Sequence, residues 1–288
     1  MPRYPQQPDF ATTIEGDLYR LHRRPGHPQV IVNSDYQGVK VLNPLTGALI
    51  SEHAFPEGYS SDGIIDHWFF SADGSKLLTV CEEDRSVALI DLVEKQGSSL
   101  VEYPPIDRIG SAVYIWDETF VFVSGMVSRY FALEKTGDRY SFAEKRSIDI
   151  RMKYPDWRRA VDQVYTNKWS IERVDSKEKS LFYHDYHSHL HKVGMLSWQT
   201  SDHFSVPLGE NTPKFASDGR YVFALKEYLL QVFDIQGEMV SSFGPSDGSY
   251  FIDVDVFTVE NKTVLVLLSA FVNQNIGQLL VYVFEREQ

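Results

Sequence analysis

The sequence predicts an all-β protein built from a repeat of about 48 residues. Three stretches carry an alternating apolar strand that ends in Asn or Asp and runs into a turn with Gly: "VKVLNPLTGALI" (39–50), "VALIDLVEKQGSSL" (87–100) and "LQVFDIQGEMV" (230–240). The equivalent positions Asn43 and Asp91 are 48 residues apart, and Asp234 follows Asp91 after 143 residues, close to three further repeats.

A second landmark supports the same period. "FFSADGSKLLTV" and "KFASDGRYVFAL" both place Phe three residues before Asp-Gly, and Asp73 and Asp218 are 145 residues apart. Asp-Gly between two strand-like runs indicates a hairpin, because Gly adopts positive φ without steric cost. Each repeat contains four short strands, which is typical of a β-propeller blade. Six blades would fill the 288 residues. Seven is the alternative, because the region 150–210 is irregular.

The two ends of the chain predict how the ring closes. The last unit shows three strands, "YFIDVDVFTVE", "TVLVLLSAFV" and "GQLLVYVFERE", and the chain then stops one strand short. A strand near residues 10–14, in "DFATTI", can pair with this last blade and remove two exposed sheet edges. We therefore expect residues 1–288 to form a single β-propeller domain.

The composition restricts the partners and the compartment. Formal net charge is -12 and the pI is near 5.2, so the surface repels phosphate backbones and favours a basic protein partner over nucleic acid. The single cysteine, Cys81, allows no intrachain disulfide, which suits a reducing compartment. Neither a signal peptide nor a membrane-spanning apolar run is recognisable, so we expect a cytoplasmic protein that is not bound to a membrane.

The repeats resemble those of the WD-repeat and quinoprotein-like β-propeller superfamily. The resemblance rests on the F-x-x-D-G hairpins at 70–78 and 215–223 and on the strand-end pairs Ile90-Asp91 and Phe233-Asp234. The Trp-Asp dipeptide and the Gly-His start of WD repeats are absent from the matching positions. The resemblance therefore implies the propeller fold and indicates no subfamily or function.

The fourth unit predicts a short helical insertion near residues 154–165. Pro155 stands near its start, and apolar residues follow at helical spacing. The insertion is either a surface helix that covers a blade edge or a docking element. Trp157, Arg158 and Arg159 are the candidate partner-binding residues, because Trp and Arg are enriched at the centres of interfaces.

The stretch "YHDYHSHLHK" (183–192) holds four of the nine histidines. Strand alternation places His187, His189 and His191 on one side, where they are candidate metal ligands. Neighbouring same-side residues on a strand are about 7 Å apart, however, so three in a row seldom converge on one ion. A polar, partly exposed hairpin is the favoured interpretation, with a metal site or a pH-responsive surface as alternatives.

Carboxylates provide the other candidate site. The resemblance to propellers implies one type of site, since six-bladed propeller enzymes often hold a metal in the central channel through carboxylates and Asn on the innermost strands. The matching candidates here are Asp66, Asp117, Asp253 and Asp255, of which the last two alternate on one strand and so face the same side. The alternative is that these residues line a solvated channel mouth.

These patterns favour a protein that binds another protein and is not an enzyme. No nucleophile elbow, phosphate-binding Gly-rich loop or compact Cys/His ligand set is present, and no cofactor is expected. The leading hypothesis is a scaffold, adaptor or inhibitor, for example an immunity protein that covers a basic toxin domain. The alternatives are a metal-dependent hydrolase or lyase, or a small-ligand sensor, with its site at the channel mouth.

Overall fold

The computed structural model describes most of the chain as β-strands and their connections. The described residues are 7–59, 67–71, 73–81, 83–94, 97–106, 112–116, 119–124, 127–149, 169–175, 180–185, 190–194, 200–204, 214–218, 220–226, 228–234, 236–245, 247–259, 261–272 and 274–285. Every regular element in these ranges is a strand, and none of the described segments is a helix with the length and hydropathy needed to cross a membrane.

The described strands, in chain order, are β1 (Phe10–Glu15), β2 (Leu21–Arg23), β3 (Val30–Ser34), β4 (Gly38–Leu42), β5 (Leu49–Ala54), β6 (His67–Phe70), β7 (Lys76–Cys81), β8 (Ser86–Asp91), β9 (Ser98–Val101), β10 (Ala112–Trp116), β11 (Thr119–Ser124), β12 (Val127–Thr136), β13 (Arg139–Asp149), β14 (Trp169–Asp175), β15 (Ser180–Asp185), β16 (Leu190–Gly194), β17 (Thr200–Phe204), β18 (Phe215–Ser217), β19 (Tyr221–Lys226), β20 (Leu229–Asp234), β21 (Met239–Phe243), β22 (Ser249–Val259), β23 (Lys262–Phe271) and β24 (Ile276–Glu285).

These strands belong to two compact units. One unit comprises Met1–Glu52 with Phe204–Gln288, and the other comprises His53–His203. In the first unit the sheets have the strand orders β2-β3-β4-β5, β18-β19-β20-β21 and β1-β24-β23-β22. In the second unit β14 to β17 form a sheet, and β6 to β13 form a longer one in which two four-stranded meanders meet at the parallel pair of β13 and β9. The repeating element is thus an antiparallel meander of four strands.

The repeat landmarks found in the sequence perform one common task. The side-chain oxygen of Asp91 accepts hydrogen bonds from the amides of Val93 (2.9 Å) and Glu94 (3.0 Å) at the end of β8. Asp234 accepts two amide hydrogen bonds in the same way at the end of β20, and Asn43 accepts one at the end of β4. Short polar side chains at these positions stabilise the turn that leads to the next strand, which is β5, β9 or β21.

Asp73 stabilises the turn between β6 and β7 and makes that turn sensitive to pH. Its carboxylate accepts hydrogen bonds from the Ser71 hydroxyl (2.7 Å) and from the Ser75 amide (2.9 Å). These bonds favour the charged form and lower the pKa of Asp73 to about 2. Because the folded pKa lies below the unfolded value, the stabilisation is present above about pH 4 and is lost as the pH falls towards 2.

Replacing Asp73 by asparagine is expected to lower the free energy of unfolding at pH 7 by less than about 1 kcal/mol, since the exposed turn is screened by solvent. The difference between wild type and Asp73→Asn should shrink as the pH falls from 4.5 to 3, as measured by urea unfolding on a phosphate–citrate series. Glu94→Gln, at an exposed position, controls for the change in net charge. A difference that stays constant or grows over this range would show that the carboxylate has no such role.

The sheets of the first unit are apolar on both faces. Along β23, Leu265 and Leu267 belong to a core cluster with residues of β19 and β20. Val264, Val266 and Leu268, which alternate with them, belong to a second cluster with residues of β2 and β3. Side chains of a strand alternate between the two faces of the sheet, so β23 contributes to two cores at once. Burial on both faces accounts for the uninterrupted apolar run at residues 264–268 of β23. Each fully buried Leu or Val contributes about 1.5–3 kcal/mol to folding.

β1 and β24 join the two ends of the chain within one sheet. They pair antiparallel from Phe10 opposite Val281 to Glu15 opposite Ile276. The turn between β4 and β5 packs closely on β1, and Gly47, at φ +67°, leaves no room for a Cβ beside the side chain of Thr12. Glycine is required at this point because of both the positive φ and the close contact.

Several predictions concern parts of the chain beyond the described ranges. The helical insertion near 154–165 lies outside them, and the number of blades stays a prediction. Cys81 is fully buried in β7, where its thiol donates a hydrogen bond to Asp84 Oδ2 (3.6 Å).

Candidate functional site

One end of the sheets in the first unit carries a loop, a cavity and exposed apolar side chains. The loop between β1 and β2, residues 16–20, leaves β1 where Glu15 pairs with Ile276. The Gly16 amide donates a 3.0 Å hydrogen bond to the Asn275 carbonyl in the connection between β23 and β24. We call this end of the sheets the loop end. It comprises residues 16–20, the connection between β23 and β24, and the tip of the β19–β20 hairpin.

The β1–β2 loop is held by the buried side chain of Asn33 on β3. Its Oδ1 accepts hydrogen bonds from the backbone amides of Tyr19 (2.8 Å) and Arg20 (3.0 Å). Its Nδ2 donates to the backbone carbonyls of Asp17 (2.6 Å) and Asp35 (3.1 Å). A carboxamide has two acceptor and two donor positions, and this one uses all four on backbone groups. The loop therefore has a defined conformation that depends on one side chain.

The β1–β2 loop carries Asp17, and two hydrogen bonds hold its backbone and its carboxylate in place. Its amide donates to Asp35 Oδ1 (2.6 Å), and its Oδ2 accepts from the Tyr36 hydroxyl (2.7 Å). The hydrogen bond to Asp17, together with burial and the charges of Asp17 and Asp35, raises the pKa of Tyr36, so the phenol remains a donor at neutral pH. Gly16, at φ +122°, permits this arrangement, because a Cβ there would lie 2.9 Å from Asp35 Oδ1.

A cavity of about 290 Å³ lies beside Asp17 at the loop end. Its lining comprises Gly16, Asp17 and Leu18 of the loop, Tyr250 of β22, and Ala270, Phe271, Gln274, Asn275 and Ile276 of β23, β24 and their connection. One wall depends on a close contact in which Leu18 covers Gly277. A Cβ on Gly277 would lie 2.6 Å from Leu18 Cδ1 and 2.8 Å from the Ser269 carbonyl oxygen. Glycine at this strand position allows the loop to approach the sheet.

Exposed apolar side chains surround the cavity. The group called the apolar patch below consists of the exposed residues Tyr228, Leu229, Val272 and Ile276 and the half-buried residues Tyr250 and Phe271. Tyr228 is 66% exposed and Val272 is 65% exposed. The Tyr228 and Tyr250 rings meet edge to face, with centroids 5.5 Å apart. Tyr250 also lines the cavity, so the apolar patch and the cavity are continuous.

Four acidic side chains lie at the loop end, where Lys40 Nζ also donates to the Glu15 carbonyl (3.4 Å). Glu15, Asp17 and Asp247 are exposed, and Asp35 is half-buried. A hydrogen bond from the Ser249 hydroxyl (2.6 Å) favours the charged form of Asp247 and lowers its pKa. The loop end thus presents apolar rings within an acidic border.

Asp253 and Asp255, two of the predicted carboxylates, are buried at 6% and 1% exposure. The Asp253 carboxylate accepts a hydrogen bond from the Leu21 amide (2.9 Å), and Asp255 accepts one from the Arg23 amide (2.7 Å). Each carboxylate also accepts the amide of the residue that follows it. The two carboxylates therefore accept hydrogen bonds from backbone amides of β2, the first strand of the neighbouring sheet. Both can reach β2 because residues two apart on β22 face the same side.

Two cationic or ionisable side chains accompany this pair. Lys214 Nζ lies 3.3 Å from Asp253 Oδ2 and donates to the Tyr19 carbonyl at 3.0 Å. His22 Nδ1 lies 3.5 Å from Asp255 Oδ2. Lys214 thus connects the buried carboxylate of Asp253 to the β1–β2 loop.

The other predicted site residues fall mainly beyond the described ranges. This applies to Asp66, Asp117, Trp157, Arg158, Arg159, His187 and His189. The backbone of His191 lies on β16, opposite Tyr183 of β15. Within the described residues, no group of three or more His, Cys, Asp or Glu side chains is arranged to hold a metal ion. The proposals that involve these residues stay predictions.

Sequence reasoning missed the residues that build the loop end. Asn33 is a polar residue at the end of an apolar run, "QVIVNSDYQG", immediately before a hairpin turn. A polar side chain in such a strand must find partners when it is buried, and that signal could have singled out Asn33. Nothing local in the sequence shows that three of its four partner groups lie 13 to 16 residues earlier.

Comparisons with known proteins show the fold. No protein-family model matches the chain, and no curated protein matches it. Among solved structures, the β-propeller domain of Cps50 (Swd1) from Myceliophteria thermophila is similar, with a TM-score of 0.58 and 12% sequence identity. The match covers 94% of this chain and 99% of that domain. Together with the all-β meanders, it confirms the fold class predicted from the repeats: the chain has a β-propeller fold.

Proposed function

We propose that the chain is a non-enzymatic protein-binding β-propeller, a scaffold, adaptor or inhibitor, whose binding face is the loop end. The observation that carries the proposal is Tyr228. This residue is two-thirds exposed at the tip of the β19–β20 hairpin, and its backbone has φ +69°. The left-handed conformation costs a residue with a side chain about 1–2 kcal/mol, and hairpin tips favour Gly or Asn there.

A bulky aromatic residue at such a position points to a role outside folding. Strained backbone positions persist where function requires them. Tyrosine is also enriched at protein interfaces, because its ring provides a large contact area and its hydroxyl a hydrogen bond. Tyr228 and Val272 both expose most of their surface; Tyr228 contacts Tyr250, which lines the cavity together with Phe271, and Val272 follows Phe271 in the chain. This arrangement supports a docking surface in preference to scattered surface residues.

The charge of the molecule supports a basic partner. The chain has 40 acidic and 28 basic residues, and carboxylates border the apolar patch. Complementary charge accelerates association and excludes acidic competitors. An immunity-type inhibitor of a basic toxin or enzyme domain is one concrete form of the proposal, and the cytoplasm is the compartment we propose for it. The insertion near residues 150–170 would add a second contact to the same partner.

The apolar patch provides the test. Tagged wild type, a Tyr228→Gly/Val272→Ser double variant and a Met239→Ser control are used as bait in native lysate and after co-expression with neighbouring genes. Met239 is 57% exposed and pairs with Phe233, at the end of β20 remote from Leu229. We expect a partner that is retained by wild type and by the control, and lost by the double variant.

Folding of the double variant is checked by thermal unfolding. Glycine relieves the positive φ at position 228 but removes an aromatic contact worth about 0.5–1.5 kcal/mol, so the stability should change little. Equal capture by all three baits would refute the loop end as the binding face. Capture of no specific partner by wild type would refute the protein-binding function.

A further inference from the structure

We propose that the cavity beside Asp17 is a pocket for one arginine side chain of the partner protein. This inference rests on the proposed function and adds the chemistry by which the partner is recognised. It depends on the size of the cavity, on its lining and on the fixed position of the Asp17 carboxylate.

The volume of the cavity suits one side chain. Pockets for drug-sized molecules and cofactors occupy about 300–1,000 Å³, and this one has about 290 Å³. The cavity lies at the loop end next to the apolar patch. A protein that is docked on the patch can therefore insert one side chain into the cavity. Because Tyr250 belongs both to the cavity and to the apolar patch, we assign the cavity to a side chain of a docked partner.

The lining favours a planar cation. Asp17 supplies a carboxylate, and Gln274 and Asn275 supply exposed side-chain amides. The rings of Tyr250 and Phe271 supply aromatic surface. Guanidinium has five donors in one plane and stacks on aromatic rings, whereas the ammonium of lysine is a strongly hydrated point charge. Several acceptors beside aromatic rings therefore select arginine over lysine.

The carboxylate is prepared for this contact before the partner arrives. Asp17 Oδ2 is occupied by the Tyr36 hydroxyl, whereas Oδ1 accepts no hydrogen bond from any residue that the structure describes. The Asp17 backbone is fixed on both sides, its amide by Asp35 and its carbonyl by Asn33. A fixed acceptor with one open oxygen loses little entropy on binding, which increases affinity and specificity.

The position of the cavity also predicts the residue beside the arginine. Tyr250 lines the cavity and contacts the exposed ring of Tyr228 at 5.5 Å. A segment that inserts arginine beside Asp17 would place a neighbouring side chain over Tyr228 and Val272. We therefore expect an arginine accompanied by an aromatic or large aliphatic residue within a few positions.

The test uses phage-displayed random 12-residue peptides selected on the full chain. Enriched sequences are synthesised, and their affinities are measured by biolayer interferometry for wild type, Asp17→Asn and a charge-matched control, Glu238→Gln. Glu238 is exposed near the opposite end of the sheet, in the turn before β21. Asparagine at position 17 can still accept the Tyr36 hydrogen bond, so Asp17→Asn should fold and unfold thermally as wild type does.

The expected result is a peptide family with one invariant arginine. Replacing that arginine by its neutral isostere citrulline should weaken binding about tenfold or more, and so should Asp17→Asn. The two changes together should weaken binding little more than either one alone, because both remove the same contact. Glu238→Gln should leave the affinity within about twofold of wild type.

Three outcomes would overturn the pocket, and they differ from failure of the binding face. Failure to enrich any peptide that contains arginine, full affinity of the citrulline peptide, or additive effects of citrulline and Asp17→Asn would each exclude the arginine contact. If Tyr228→Gly/Val272→Ser abolishes binding in those cases, the loop end is still the binding face. If that double variant also binds normally, the proposed face fails as well.

Discussion

Replacing Asp255 by alanine is expected to lower the free energy of unfolding by about 3 kcal/mol. The carboxylate is almost fully buried and accepts the amides of Arg23 (2.7 Å) and Val256 (2.6 Å). Alanine leaves both donors without an acceptor, and each buried unsatisfied amide costs about 1–3 kcal/mol. It also leaves His22, 3.5 Å away, without this carboxylate. The effect should appear as a lower midpoint of urea unfolding.

Two further variants separate the causes of this loss. Asp255→Asn retains an oxygen acceptor and removes the charge, so it should destabilise the fold less than Asp255→Ala. Asp234→Ala removes a carboxylate that also accepts two amide hydrogen bonds, but in an exposed turn. Water can satisfy those amides, and we expect a loss of about 1 kcal/mol or less. Similar losses for Asp255→Ala and Asp234→Ala would contradict a special role for the buried carboxylate.

Replacing Asn33 by alanine is expected to destabilise the fold by about 3–4 kcal/mol and to disorder the β1–β2 loop. The side chain satisfies four backbone groups, two amides and two carbonyls. The strand offers no replacement for these bonds, because Asn33 is fully buried, Val32 before it is apolar, and the hydroxyl of Ser34 after it already donates to Glu52 Oε1 (2.9 Å). Leaving several buried polar groups unpaired accounts for a loss of this size.

A local measurement distinguishes loop disorder from general destabilisation. Hydrogen exchange at the amides of Tyr19 and Arg20 should accelerate in Asn33→Ala far more than exchange in the centre of β23, under native conditions. Asn43→Ala is the matched control, since Asn43 accepts one amide hydrogen bond, from Leu45, in a surface turn. Uniform acceleration throughout the chain would show that Asn33 only contributes to global stability.

The same variant connects stability to the proposed binding site. Asp17 is oriented through its carbonyl by Asn33 and through its amide by Asp35. If the loop loses its conformation, the cavity loses one wall, although the chemical groups are all still present. Asn33→Ala should therefore lower the affinity for arginine-containing peptides at temperatures at which the sheets remain folded.

The fold was predictable because it depends on local patterns that recur. Asn43, Asp91 and Asp234 stand at strand ends and make the same type of turn, and such turns depend on a few adjacent residues. Alternating and continuous apolar runs identify strands by their period of two. These signals need no knowledge of distant contacts, and they led from the sequence to the propeller fold that the comparison confirmed.

The candidate site was not predictable in this way. Histidines and carboxylates were singled out because their side chains are chemically conspicuous in the sequence. The loop end depends instead on Asn33, Gly16 and Gly277, whose importance comes from what approaches them in space. Tyr228 is an ordinary tyrosine in the sequence, and its significance comes from a backbone conformation and an exposure that only coordinates provide.

By itself, the sequence determined the repeat, the strands and turns within it, and the acidic character of the surface. Only the tertiary structure decided that Asp253 and Asp255 are buried against β2, and that Asp17 stands at a cavity beside exposed rings. The physical reason is the range of the interactions. Turn and strand preferences act between neighbours in the chain, whereas Leu21 and Asp253 are 232 residues apart and meet only after the sheets have packed.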